Sequence, residues 1–175
     1  DLERFLGRVA YLAKFIPNLS EKTRELRLLL QKDFIWDFTK ANEDQYNEIK
    51  SAISENVVLK FFNPNLDTKI TCDASKNGLG ATLEQRHENI WYPVVFTSRT
   101  MTISEVNYCQ LEKENLSIVF EHSKFHDYIY GKKFHVENDH KPLKTIFSKS
   151  ISTAPPRIQR FMLNLQKYDF VVHYI

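Results

Sequence analysis

At Thr68 the hydrophobic pattern of the chain changes period, from steps of three and four residues to strict alternation. Helices repeat every 3.6 residues and strands every 2, so this switch predicts a helical unit followed by a sheet-forming one. Before it, Leu2, Phe5, Leu6, Val9, Ala13 and Ile16 lie at helical spacing, which predicts a helix over 2–16 stopped by Pro17. Ser20 is expected to cap a second helix carrying Leu26, Leu29 and Leu30. Thr39 is expected to cap a third, with Tyr46, Ile49 and Ile53 on one stripe. Residues 1–58 therefore read as a small helical unit, and 59–67, with its Phe62-Asn63-Pro64-Asn65 run, as a linker.

After the switch, 68–73, 79–86 and 90–98 read as three strands, with a polar turn at 75–78 and a hairpin turn at Asn89. Residues 105–129 carry the longest helical pattern, closed by Gly131 at the C′ position. A fourth strand is expected over 133–137 and a short helix over 142–148, begun by Pro142. Ala154-Pro155-Pro156 opens a further helix with Ile158, Phe161, Met162 and Leu165 in register, and 169–175 reads as a fifth strand. Strands joined by short loops suit an antiparallel meander, and strands that follow helices suit parallel addition. The expected fold class is α/β, a mixed five-stranded sheet with flanking helices over 68–175, preceded by the all-α unit.

With 42% hydrophobic and 26% charged residues among 175, the composition is that of a globular protein and excludes general disorder. No apolar run approaches the roughly 20 residues of a membrane span, so no membrane partner is expected. Cys72 and Cys109 are too few for a disulfide scaffold and lack zinc spacing. A reducing, intracellular setting is expected, not secretion. The chain opens on Asp1 without a signal peptide, which suggests a piece of a longer polypeptide.

Net charge is only +2, but it is unevenly spread. Residues 1–60 hold ten basic and ten acidic side chains, whereas Lys132 to Lys167 holds eight basic ones against Glu137 and Asp139. Such a stretch is either a solvated surface or a polyanion footprint. On the second reading Lys132, Lys133, Lys141, Lys144, Arg157 and Arg160 are candidate nucleic-acid contacts.

Three acids stand out by position. Asp73 ends the first strand on the side of Thr71 and Lys69, a place that turn chemistry alone also explains. Glu114 lies three residues after Leu111 and four before Ile118, on the apolar stripe of its helix, where an ionised carboxylate is costly unless paired or bound to a metal. Glu112 projects about 200° away and reads as an ordinary solvated charge. Asp139 ends the fourth strand beside a helix start, where α/β folds tend to place their sites. If the first and fourth strands are neighbours, the three acids meet at one sheet end. Hard oxygen ligands of that kind select Mg2+ or Mn2+, and such ions assist in-line displacement at a phosphodiester.

FLGRVAYLAKFIPNLSE (5–21), TCDASKNGLGATLEQ (71–85), VVFTSRTMTISEVNYCQLEKENLSIV (94–119), KFHDYIYGKKFHVENDHKPL (124–143) and RIQRFMLNLQKYDFVVHYI (157–175) cover nearly the whole chain. In that order they resemble the thumb and ribonuclease H portion of a gypsy-type (Metaviridae) LTR-retrotransposon reverse transcriptase. The resemblance implies a thumb-like helical unit that grips template–primer duplex, then a ribonuclease H-like domain. By position, Asp73, Glu114 and Asp139 match the first three members of that family's metal-binding acid set. They imply Mg2+- or Mn2+-dependent endonucleolytic hydrolysis of the RNA strand of an RNA–DNA hybrid, with RNA read through its 2′-hydroxyls. The implied partners are the hybrid or template–primer duplex and the rest of the polyprotein, fingers and palm upstream and integrase downstream.

Three features depart from the family pattern. The family's fourth Asp follows the last strand in a stretch beyond Ile175, the usual Thr before the third acid is Asn138, and the residue after Glu114 is Asn115 rather than Leu. They keep an alternative open: a non-catalytic, transposon-derived ribonuclease H-like module that binds nucleic acid or a protein partner. His140, in a matched motif, is expected to hold the strand–helix junction, and Cys109 to be a small packing residue within the long helix.

Overall fold

The computed structural model describes residues 2–32, 34–54, 59–139, 142–147 and 151–174. The helical segment is shorter-jointed than its periodicity suggests. Helix α1 (Leu2–Tyr11) ends five residues before the expected stop, and a 3-10 turn at Ala13–Phe15 follows. The cause is Pro17: Ile16 takes an extended conformation (φ −120°, ψ 115°), as a residue before proline must, so the helix cannot run to it. Ser20 is not a cap. Helix α2 (Leu19–Lys22) begins after Asn18, which sits in the left-handed region (φ 51°), and buried Ser20 lies inside the helix, its N–H donating to Ser98 Oγ at 3.0 Å. Helix α3 (Arg24–Leu28) is separate because the Thr23 hydroxyl donates back to the Leu19 carbonyl (2.8 Å), a bond that competes with helix continuation.

Helix α4 (Lys40–Ser54) starts after Thr39 as expected, but the bond runs the other way: the Thr39 N–H donates to Asn42 Oδ1 at 3.0 Å. Leu6, Val9, Ile16, Leu19, Leu26, Leu29 and Ile49 form one apolar cluster across these helices. Leu30 (42% exposed) and Ile53 (39%), both expected on packed stripes, stay outside it.

Strands β1 (Thr68–Ala74), β2 (Gly78–His87) and β3 (Ile90–Thr100) make the antiparallel meander the short loops called for. Glu88 and Asn89, both at positive φ, form the two-residue β2–β3 turn, the geometry that matches strand twist. The single helix expected over 105–129 is three: α5 (Ile103–Val106), α6 (Gln110–Lys124) and α7 (His126–Ile129). Capping boxes start two of them, Thr102 with Glu105 and Cys109 with Glu112, and each cap needs a non-helical residue that interrupts the run. Cys109 is consequently an exposed helix start and not a packing residue. Gly131, at φ 76°, closes this region as expected.

Strand β4 (Lys133–Asn138), helix α8 (Pro142–Phe147), a 3-10 turn at Ile151–Thr153, helix α9 (Pro156–Leu165) and strand β5 (Asp169–Tyr174) complete the sheet. Its order is β3-β2-β1-β4-β5, with β4 parallel to both β1 and β5. Ile70, Leu83, Phe134, Val136 and Val172 point from the strands into a core closed by Ile118 of α6, Phe125 just after that helix and Leu165 of α9. This core fixes α6 across β1, and so fixes Glu114 relative to both strand-end acids. His140 and Lys141 lie outside the described residues, as does the side chain of Lys144, whose backbone is in α8. Among the described residues no helix is long and apolar enough to cross a membrane.

Candidate metal centre

The first and fourth strands are neighbours. Thr71 pairs with Glu137 in the parallel β1–β4 register, and two residues further on Asp73 and Asp139 leave the carboxyl ends of the strands together. Alternation turns Asp73 outward, between Cys72 and Ala74, which face the core. Glu114 comes from the opposite direction, from the second turn of α6. The Ser117 hydroxyl, one turn on, donates to the Asp73 carbonyl (3.3 Å) and ties that helix to the strand end. One ligand oxygen from each of Asp73, Glu114 and Asp139 lies within 4.8 Å of the other two. Asp73 and Asp139 are exposed, whereas Glu114 is only 2% exposed.

Glu114 is held on both oxygens. Asn138 Nδ2 donates to Oε2 at 2.9 Å and the Gln110 amide donates to Oε1. Asn138 also reaches the Cys72 carbonyl at 3.3 Å, so one carboxamide links β1, β4 and the buried acid. Burial pushes the Glu114 carboxyl above its ordinary value; the Asn138 and Gln110 hydrogen bonds oppose this, and the charges of Asp139 and Asp73 add to it. Asp73 is raised too, first by partial burial and then by the Asp139 charge. Among the described residues no Lys or Arg forms an ion pair with any of the three acids. The arrangement concentrates hard oxygen donors and negative charge without a counter-charge from these side chains, and this fits a small divalent cation.

Asn138 and Gln110 were not among the expected site residues. A signal for Asn138 existed: it shares the core-facing parity of Phe134 and Val136, where a polar side chain must find a partner. Glu112, expected to be solvated, instead accepts from the Cys109 N–H and pairs with Arg157 at 2.8 Å. His122 and His126 are packing residues, His122 Nδ1 donating to the Ile118 carbonyl (2.8 Å) and His126 meeting the Tyr168 hydroxyl (2.9 Å).

The basic stretch is contiguous in sequence and divided in space. Lys132 precedes β4 and Lys133 begins it, and the strand's six residues span about 20 Å to the acidic end. Lys132 lies over the Phe62 ring and donates to the Leu66 carbonyl at 3.3 Å, and burial lowers its pKa. Arg157 stacks on Tyr108 at 4.0 Å near the start of α6, on the acidic side, and Arg160 is exposed on α9.

Residues 63–168 match the family model of the RNase H-like domain found in reverse transcriptase. Over 172 residues the chain is 32% identical to the retrovirus-related Pol polyprotein from transposon 412 of Drosophila melanogaster, covering 98% of this chain and 14% of that one. It is 32% identical over 177 residues to the transposon Tf2-3 polyprotein of Schizosaccharomyces pombe, covering 99% of this chain and 13% of the relative. Among solved structures it is similar to the dRH form of a foamy viral protease–reverse transcriptase in complex with double-stranded DNA, with a TM-score of 0.79 and 18% identity over 99% of this chain and 31% of that one. The same viral protein in complex with RNA/DNA hybrid gives a TM-score of 0.76 at 18% identity, covering 99% of this chain and 24% of that one. At such identity the structural likeness speaks for the fold, which is ribonuclease H-like. The family match spans more than half of the chain and contains β1, α6 and β4 with all three acids, and the chain therefore belongs to the ribonuclease H-like domains found in reverse transcriptases.

Proposed function

We propose that this domain is the nuclease of a retrotransposon reverse transcriptase, cutting the RNA strand of RNA–DNA hybrids with a divalent cation held by Asp73, Glu114 and Asp139. The observation that carries the reading is the meeting of those three oxygens within 4.8 Å at one end of the β1–β4 pair. When bound, Mg2+ or Mn2+ supplies Lewis-acid polarisation of the scissile phosphate and lowers the pKa of a coordinated water. Glu114, buried and clamped by Asn138 and Gln110, is the fixed member of the set. Asp73 and Asp139 are exposed at the strand ends, which in this reading leaves them open to an arriving duplex. In this reading Arg157, beside Tyr108 near the start of α6, and Arg160, exposed on α9, contact phosphates of the duplex. Lys133 extends the contact along the duplex, and Lys141 and Lys144 belong to the same proposed contact set. Lys132, bonded to a backbone carbonyl, is the least available.

The segment before β1 fits a thumb-like role in holding duplex, with the remainder of a polyprotein as its covalent partner. The complexes of the foamy viral protein, with double-stranded DNA and with RNA/DNA hybrid, support duplexes as the ligand class. The test is hybrid cleavage by the protein that carries this chain. Asp73→Asn, which keeps size and removes the charge, is expected to lower Mg2+-dependent cleavage at least 100-fold while hybrid binding persists. Full cleavage in that variant would remove Asp73 from the site, and hybrid binding without cleavage in the unsubstituted protein would favour a non-catalytic module.

A further inference from the structure

The helical unit approaches the metal centre at Asn18. Asn18 lies over Gly80, which pairs directly with Asp73 across β1–β2. A Cβ on Gly80 would stand 2.3 Å from Asn18 Oδ1, so the carboxamide fits there only because residue 80 is glycine. A narrow crevice lined by Asn18, Ser20, Asp73, Ser75 and Gly80 joins the helical unit to the acidic end of the sheet. Asn18 is exposed and its backbone is left-handed (φ 51°), a conformation that asparagine tolerates better than most residues. Its side chain makes no capping bond to α2, and no hydrogen bond of that side chain exists among the described residues. Ser20 N–H to Ser98 Oγ, two residues on, anchors the segment to β3. A carboxamide is thus held beside Asp73 with no hydrogen bond of its own among the described residues.

We propose that Asn18 is a specificity-determining residue that hydrogen-bonds the ribose of the RNA strand next to the scissile phosphate, an inference that rests on the nuclease reading above. A carboxamide offers one acceptor and two donor hydrogens, and a 2′-hydroxyl both gives and accepts, whereas a deoxyribose offers neither at that carbon. The helical unit contributes in this way to substrate choice as well as to duplex holding.

The experiment compares the protein carrying this chain with Asn18→Gly, which keeps the left-handed backbone free of strain, and with Gly80→Ala. The second leaves Asn18 in place and displaces only the far end of its flexible side chain. Each is expected to raise KM for an RNA–DNA hybrid about five- to tenfold, the value of one neutral hydrogen bond, with the loss falling on KM rather than kcat. Each is also expected to weaken hybrid binding, measured with Ca2+ replacing Mg2+, more than binding of duplex DNA of the same sequence. The double variant is expected to lose no more than either single one, because both remove the same contact. Unchanged KM and hybrid affinity in Asn18→Gly, or equal losses on hybrid and DNA, overturns the assignment while leaving the metal centre standing. If the unsubstituted protein fails to cut hybrid, the nuclease reading falls, and the affinity comparison still decides Asn18.

Discussion

Glu121 lies on α6 two turns beyond Glu114, is fully buried, and among the described residues neither of its carboxyl oxygens has a hydrogen-bond partner. His122 Nδ1 is 3.4 Å from Oε1, but it donates to the Ile118 carbonyl at 2.8 Å. Burial therefore dominates and raises the Glu121 carboxyl above its ordinary value, with His122 and Cys72 opposing. The sign of the pH dependence follows. A carboxyl raised on folding favours the native state below its unfolded pKa, and that stability is lost as pH rises toward the folded pKa. Over that window the unfolded chain has released a proton that the native chain retains, so stability falls by up to about 1.4 kcal/mol per pH unit. Glu121→Met keeps length and apolar volume and deletes the titration. Asp73 and Glu114, also raised, titrate in both proteins and cancel in the difference. In thermal unfolding, as pH rises above the ordinary carboxyl range, the advantage of Glu121→Met is expected to grow by up to about 1.4 kcal/mol per pH unit, or about 3–6 °C in Tm for a chain of this size. A variant less stable than the parent at pH 7, or a difference that does not change with pH, would show that Glu121 belongs to a buried ion pair and refute the reasoning.

Two further outcomes follow from the site. Asn138→Leu removes the donor to Glu114 Oε2 and to the Cys72 carbonyl, and is expected to weaken Mg2+ affinity, read from the metal dependence of hybrid cleavage, by about 10- to 100-fold. An unchanged metal dependence would mean that Gln110 alone fixes the acid. In hybrid binding across a salt series, Arg160→Ala is expected to lower the log–log slope by about 1, and Lys132→Ala to leave it nearly unaltered because that ammonium already serves Leu66. Equal slopes for the two variants would place both, or neither, on phosphates.

The periods of 3.6 and 2 made the strand succession and the parallel addition of β4 and β5 legible, because side-chain alternation is dictated by which face is buried. Helix interruptions were not. Over 105–129 the apolar spacing continues through Cys109 and Phe125, while the breaks come from capping-box bonds and a change of direction that spacing does not encode. Ser20 illustrates the same limit at the other end of the chain: a good capping residue is drawn inside the helix because its N–H has a partner on β3, 78 residues away. The divided basic stretch has a simpler cause, since β4 carries the chain from one end of the sheet to the other between Lys133 and Asp139.

Glu114 and Glu121 show why burial of an acid does not by itself define a site. Glu121 follows Ile118 by three residues and precedes Phe125 by four, the relation that Glu114 has to Leu111 and Ile118, so helical arithmetic puts both on the sheet-facing stripe. Both are buried, and burial raises both. They differ in what the sheet offers opposite each. Glu114 faces the strand ends, where Asn138 and Gln110 bind its oxygens and two more acids stand within ligand distance. Glu121 faces the strand interiors, where β1 presents Cys72, and its nearest charged-capable neighbour is His122 of its own helix, whose Nδ1 is already bonded to the Ile118 carbonyl. Strand ends are where backbone pairing stops and side chains of either parity can turn toward a common point. A buried acid there can share its charge with a ligand, whereas one placed two turns further along can only be neutralised by a proton.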